Sequence, residues 1–259
     1  MRLRSFVASV GCVAGSWLAP PAALAGDCKP VTVETRRIGG RIVERIDGEP
    51  RTVEFQAGMM IDADGALRAY HPDDAPGLDG LEHAGAPGNW WGLVTADGTP
   101  SGAALVQRES DPAPGFHVSQ TSLEDSAKEP ADPQRYVDAL AVPYLALQEV
   151  FLTDLGCRLG DFAFVTREAL NGSQRASAAI FADVAAAGLP VGEGSIALAE
   201  RLAIPSSPRH GGTLRASVHY VLFCGSGNGR PRPVAEIDAE GARLSAARRI
   251  RDAEACPRR

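Results

Sequence analysis

Two carboxylates that lie close together in the sequence carry the strongest chemical signal. Asp183 ends a short apolar run, and Glu193 precedes a segment with helical spacing of apolar residues that begins at Ser195. Glycines at 188, 192 and 194 permit a tight loop that would carry Glu193 back towards Asp183. A pair of carboxyl groups on a rigid scaffold is the arrangement used in glycoside hydrolysis.

The surroundings of the two acids favour different roles. Asp183 ends an apolar strand, where desolvation raises the pKa of a carboxyl group and suits it to be a general acid. Glu193 precedes a helix N-terminus, whose partial positive charge favours the carboxylate and suits a general base. Burial could reverse both tendencies, so the assignment stays open. Each residue is also compatible with a capping or salt-bridged surface acid.

Other residues are candidates for substrate contact. Asp62 and Asp64 flank a turn and could bind ammonium groups by charge-assisted hydrogen bonds, or simply form an Asx turn. Tyr70 and Trp90, with the neighbouring Trp91, could stack on sugar rings or fill the core. Ser195, close to Glu193, is the last predicted substrate contact.

Metal and serine chemistry have little support in the sequence. The five histidines show no H-E-x-x-H spacing, the cysteines form no C-x-x-C pair, and the Asp62 region lacks the later ligands of an EF-hand. The sequence G-E-G-S differs from the G-x-S-x-G pattern of serine hydrolases. We therefore predict neither a metal nor a cofactor.

The N-terminus predicts export. Arg2 and Arg4 precede an apolar stretch at residues 6–18, and residues 23–25 place alanines at the two positions that a signal peptidase reads. We expect a signal peptide at residues 1–25 and a secreted or periplasmic protein. The apolar stretch is shorter than the ~20 residues of a spanning helix, so no membrane insertion is expected after cleavage.

Four cysteines remain after cleavage, namely Cys28, Cys157, Cys224 and Cys256. An even number in an exported protein indicates up to two disulfides, with three possible pairings. We expect Cys157 to pair with Cys224 and Cys28 with Cys256; free buried thiols are the alternative.

The charge favours a cationic partner. Cleavage removes two arginines, so 24 basic residues face 32 acidic ones and the formal net charge falls from −6 to −8. An acidic protein repels nucleic acid and attracts a polycation, although mild acidity is ordinary for soluble proteins.

The elements that must position these residues are mostly short strands. We predict strands at residues 31–34, 41–46, 52–55, 59–61, 91–94, 116–119, 144–149, 162–166, 177–182 and 217–223. A short helix is predicted at residues 195–202. A second is predicted at residues 235–254, with Ile237, Leu244, Ala247 and Ile250 as an apolar stripe. The expected fold is mainly β: a single domain with a barrel-like core.

The chain also resembles the family 75 glycoside hydrolases, the fungal-type chitosanases and their bacterial relatives. The resemblance rests on ordered motifs over roughly residues 55–227. These are DADG (62–65), AYHPDD (69–74), GLDGLEHAG (77–85), NWWG (89–92), DPAPGFHVSQTSL (111–123), VPYLAL (142–147), RLGDFAFV (158–165), AIFAD (179–183), GEGSIALAERL (192–202) and VHYVLFCGSG (218–227).

The resemblance implies an inverting endo-chitosanase whose two essential acids are Asp183 and Glu193. It implies a catalytic domain at residues 55–227, between an N-terminal extension at 26–54 and a helical tail at 228–259. The order of elements is also similar to double-psi β-barrels of secreted cell-wall enzymes. A non-catalytic envelope polysaccharide-binding protein and a peptidoglycan-cleaving enzyme are therefore the alternatives. We expect a monomer with a polysaccharide substrate.

Overall fold

The protein is a closed β-barrel with helices packed on its outside. The computed structural model describes residues 32–169 and 171–255. The predicted signal peptide, Cys28 and Cys256 lie outside the described residues. Over the described part, the prediction of a mainly β single domain with a barrel core is confirmed.

The barrel has six strands in the order β3-β10-β7-β8-β6-β9, and it closes because β9 pairs with both β6 and β3. The β3–β9 and β6–β8 pairs are parallel and the others are antiparallel. The strands are β3 (Arg51–Asp62), β6 (Tyr144–Leu147), β7 (Phe162–Glu168), β8 (Gln174–Val184), β9 (Glu193–Ser195) and β10 (Thr213–Cys224).

A hairpin precedes the barrel and pairs with it. Strands β1 (Thr32–Ile38) and β2 (Arg41–Ile46) are antiparallel, and β2 pairs with the first half of β3. The strand predictions at 52–55 and 59–61 are parts of one long strand, β3, so the predicted domain boundary at residue 55 falls inside it.

Alternation along the strands builds the core. Val53, Phe55, Ala57, Met59 and Ile61 of β3 are buried at every second position, as a strand with one face on the core requires. The Phe55 ring stacks on the Tyr220 ring of β10 with centroids 4.5 Å apart. This packing makes the barrel wall a fixed support for groups on its other face.

Residues 63–143 leave the barrel between β3 and β6 with little regular structure. They contain two short strands, β4 (Gly85–Ala86) and β5 (Asn89–Trp90), and 3-10 turns at Leu81–Ala84 and Pro133–Arg135. The predicted strands at 91–94 and 116–119 are wrong, because these segments make only isolated bridges such as Leu93 with Ser119. This connecting segment, residues 63–143, covers one side of the barrel.

Three helices complete the fold: α1 (Val150–Thr153), α2 (Ile196–Arg201) and α3 (Val234–Ala255). Helix α3 packs on β7 and β8, and a Cβ at Gly241 would lie 2.5 Å from that of Ala178, so only glycine allows this approach. The predicted apolar stripe holds only in part, because Ile237 and Leu244 are buried whereas Ala247 and Ile250 are exposed. No helix in the described residues is long and apolar enough to span a membrane.

A buried disulfide joins Cys157, which follows α1, to Cys224 at the end of β10. This confirms the predicted pairing. Asp161 lies beside it, fully buried, and accepts hydrogen bonds from the backbone N–H groups of Arg158, Gly225 and Gly227. The carboxylate thus fixes the turn that carries the disulfide.

Candidate active site

The two predicted catalytic acids lie on strands that flank a common neighbour. Asp183 of β8 and Glu193 of β9 are both paired with Ala146 of β6, one on each side. Adjacent strands are about 4.8 Å apart, so the backbones of the two acids are separated by roughly 10 Å. Glu193 is therefore a strand residue rather than the loop residue expected from the sequence.

Asp62 and Asp64 join this pair from the end of β3. One carboxylate oxygen from each of Asp62, Asp64 and Asp183 lies within 4.8 Å of the other two. The Asp62 Oδ1 also accepts the Asp64 N–H at 2.8 Å, which is the Asx turn considered as an alternative. Asp62 thus holds the turn and belongs to the acidic cluster at the same time.

Strand alternation explains why Asp62 and Glu193 share one face. Ile61 belongs to the hydrophobic core and pairs with Gly194, where a Cβ would lie 2.9 Å from Leu198 Cδ2 and 3.4 Å from Met59 Cε. Asp62 and Glu193 are next to them in the sequence and so point to the opposite face. The parallel register places Met60 opposite Glu193 and Asp62 opposite Ser195, so Asp62 and Glu193 project from the same face of the β3–β9 pair.

Three donors converge on Asp183. Its Oδ1 accepts the Ser122 hydroxyl at 2.7 Å and the backbone N–H groups of Ser122 and Val184 at 2.8 Å each. Burial raises the pKa of Asp183, while these three hydrogen bonds oppose the rise because they favour the charged form. These hydrogen bonds stabilise the negatively charged form of Asp183.

Glu193 is in the opposite situation. Burial raises the pKa of Glu193 well above its usual range, and the charges of Asp62 and Asp183 raise it further. Among the residues that the structure describes, no donor forms a hydrogen bond with its carboxyl group. This favours the protonated form, so the tendencies inferred from the helix N-terminus and the strand end are reversed.

The negative charges of Asp62 and Asp64 are also poorly compensated. Burial and the charge of Asp183 raise the pKa of Asp62 to about 7, and burial with the charge of Asp62 raises the pKa of Asp64 well above its usual range. Within residues 32–169 and 171–255, no basic side chain forms an ion pair with any of the four acids. Protons or a bound cation must therefore neutralise part of this charge.

The acids open onto a cleft made of two adjoining cavities of about 850 and 450 Å³. Asp64, Trp91 and Asp183 line both cavities, whereas Asp62 and Glu193 line the smaller one. The acid pair therefore lies where a ligand extending through both cavities would pass.

The spacing of Asp62, Asp64 and Asp183 is also compatible with a metal ion, since three carboxylate oxygens are available within 4.8 Å of one another. Hard cations such as Ca²⁺ bind oxygen ligands of this kind. The same oxygens would suit an ammonium group, which needs acceptors and negative charge.

The other three predicted substrate contacts are buried. Ser195 is fully buried; its hydroxyl accepts the N–H groups of Tyr144 and Leu198 and donates to the Val142 carbonyl, so it caps α2. Tyr70 lines the smaller cavity of the cleft, but it is only 2% exposed and offers no free ring face. Trp90 is 8% exposed and lines a different cavity.

The structure adds Ser122 and His83, which the sequence did not single out, and it separates Trp91 from Trp90. Trp91 is half exposed and lines the cleft, as its neighbour Trp90 was expected to do. Ser122, in the connecting segment at residues 63–143, donates hydrogen bonds to Asp183. His83 lines the smaller cavity, and its Nδ1 lies 2.8 Å from the buried Asp79 carboxylate. Strand alternation could not identify Ser122 and His83, because both come from irregular segments.

The chain matches no family model, and no curated protein matches it.

Proposed function

We propose that the protein is an exported endo-chitosanase that hydrolyses β-1,4 glucosamine linkages by an inverting two-carboxylate mechanism. The observation that carries the proposal is the contrast between Asp183 and Glu193 across Ala146. One acid receives three hydrogen-bond donors, and the other is buried beside negative charge. Glycoside hydrolysis requires such a difference, because one acid must start protonated and the other charged.

The proposed roles follow from these environments. Glu193 donates its proton to the glycosidic oxygen as the bond to the anomeric carbon breaks. Asp183, as carboxylate, takes a proton from a water molecule whose oxygen bonds to that carbon from the opposite face. Inversion needs room for this water, and carboxyl groups roughly 6.5 to 9.5 Å apart provide it. The backbone separation of roughly 10 Å across β6 is compatible with this range.

An amino sugar substrate is supported by the uncompensated acids. Asp64 is half-buried, lines both cavities and would accept a hydrogen bond from a sugar ammonium group. Asp62, which lines the smaller cavity, would add negative charge near that group. An ammonium group would stabilise the charged form of both carboxylates. The acidic composition of the chain acts in the same direction at longer range.

The test is the release of new reducing ends from chitosan, chitin and peptidoglycan. We expect the wild-type chain to cleave chitosan and to lose activity as the polymer becomes more acetylated. Asp183→Asn and Glu193→Gln should each lower turnover by on the order of a hundredfold or more, because each removes one proton transfer. Glu129→Gln, an exposed acid outside the cleft, is the matched control.

Each other outcome has a definite meaning. Cleavage of peptidoglycan but not of chitosan would show that the substrate is peptidoglycan and would leave the two-carboxylate mechanism in place. Binding of chitosan without any cleavage would favour a polysaccharide-binding protein. Wild-type turnover in either acid variant would refute the role of that residue.

A further inference from the structure

A third cavity adjoins the cleft on the side away from Glu193. Its volume is about 590 Å³, and it shares Trp91, Gln120 and Glu124 with the larger cavity of the cleft. Trp90 and Tyr136 line its far part. The three cavities thus follow one another along the surface, with Trp91 lining all of them.

The Trp91 side chain is held in a defined position. Its indole N–H donates to the His83 carbonyl at 2.9 Å, and its own backbone carbonyl accepts the Gln120 Nε2 hydrogen bond at 2.9 Å. The residue nevertheless remains 50% exposed. A large aromatic side chain that is anchored and still exposed is unusual for a residue with only a packing role.

We infer that the third cavity is a distal binding subsite for the same polymer and that Trp91 is the platform over which the chain passes. The inference rests on the proposed function for the identity of the ligand. An indole face can pack against the C–H face of a sugar ring and attract an ammonium group by a cation–π interaction. Glu124 at the shared border is held by Arg135 through both of its carboxylate oxygens, so the Trp91 ring is the contact that we assign to the chain here.

A chain bound in this way would extend from the acids across Trp91 into the third cavity. Affinity should therefore rise with oligomer length until the distal subsite is filled. Cleavage would occur within a long chain rather than at its end, because polymer would be bound well beyond the reacting linkage.

The experiment measures binding of glucosamine oligomers, from the dimer to the octamer, by titration calorimetry. Glu193→Gln serves as background so that no oligomer is cut. Trp91→Ala should weaken binding of the long oligomers about fivefold to tenfold. Ala96→Trp places a bulky group in the third cavity at an exposed position and should remove the gain from length while short oligomers bind as before.

Ala239→Trp, at an exposed position of α3, is the matched control and should bind like the background protein. Unchanged affinity for long oligomers in both Trp91→Ala and Ala96→Trp would overturn the distal subsite, even if the wild-type chain cleaves chitosan. A second outcome separates the subsite from the reaction. If the wild-type chain binds long oligomers more tightly but does not cleave them, and Ala96→Trp removes this gain in affinity, the subsite is supported and the proposed reaction is refuted.

Discussion

At the scale of single residues, the hydrogen bonds to Asp183 matter more than its place at the end of a strand. The sequence predicts Asp183 and Glu193 as the acid pair, and both residues line one cleft in the structure. Their environments were not predictable, because the Ser122 donors come from an irregular segment with no periodic pattern. Trp90 and Trp91 were both considered as sugar contacts, and only Trp91 lines the cleft, because Trp90 is buried.

Ser122→Ala tests the role of Asp183 as base. Loss of the hydroxyl donor should raise the pKa of Asp183, so the acidic limb of the pH–rate profile should move to higher pH. A hydrogen bond to a charged group contributes about 1.5 to 3 kcal/mol, and screening at this partly exposed site reduces the expected shift to about one pH unit. The measurement is kcat/KM for chitosan against pH.

Ser122→Thr keeps the hydroxyl and should leave the limb in place, as should Ser126→Ala at an exposed site nearby. An acidic limb that does not move in Ser122→Ala would show that another group acts as base.

At the scale of elements, hydrophobic alternation located the longer barrel strands. Strand β2 was predicted with its observed bounds, and the helix predicted at residues 195–202 is α2, which is one residue shorter at each end. Strand β9 escaped prediction because its three residues include a glycine and follow a glycine-rich loop. That short strand closes the barrel and carries Glu193, so the structure of the site depends on the element with the weakest sequence signal.

Gly192→Ala tests this dependence. Gly192 has a φ of +109°, and a Cβ there would lie 2.6 Å from the Gly58 carbonyl oxygen and 2.9 Å from the Ala57 Cβ. The substitution should push β9 away from β3, cost about 2 kcal/mol or more, and lower turnover by displacing Glu193. Denaturant unfolding and chitosan hydrolysis are the two measurements.

Gly172→Ala is the control, because Gly172, between β7 and β8, also has a positive φ of +76° but meets open space away from the cleft. It should cost about 1 kcal/mol and leave turnover unchanged. Equal stability and activity in the two variants would mean that the fit of β9 against β3 does not position Glu193.

At the scale of the whole molecule, the acidic cluster links function to stability. The pKa of Asp62 is raised to about 7, whereas an aspartate in an unfolded chain titrates near 3.9. Between these values the folded protein holds a proton that the unfolded chain has lost. The free energy of unfolding should therefore fall as pH rises from about 4 to about 7 and then level off.

Asp62→Asn should remove this cost while keeping the Asx turn, because asparagine retains the accepting oxygen. The variant should be more stable than the wild type at pH 8, by about 1 to 4 kcal/mol, and nearly equal to it at pH 4. Thermal and urea unfolding across this range check the prediction. A variant less stable than the wild type at pH 8 would show that Asp62 is charged and well compensated in the folded state.

The most direct test of the central claim is the configuration of the first product released from chitosan, followed by proton NMR before mutarotation. An inverting reaction with Glu193 as acid and Asp183 as base predicts that the new reducing ends appear first as the α-anomer. First appearance of the β-anomer, or no cleavage of chitosan by the folded wild-type chain, would contradict it.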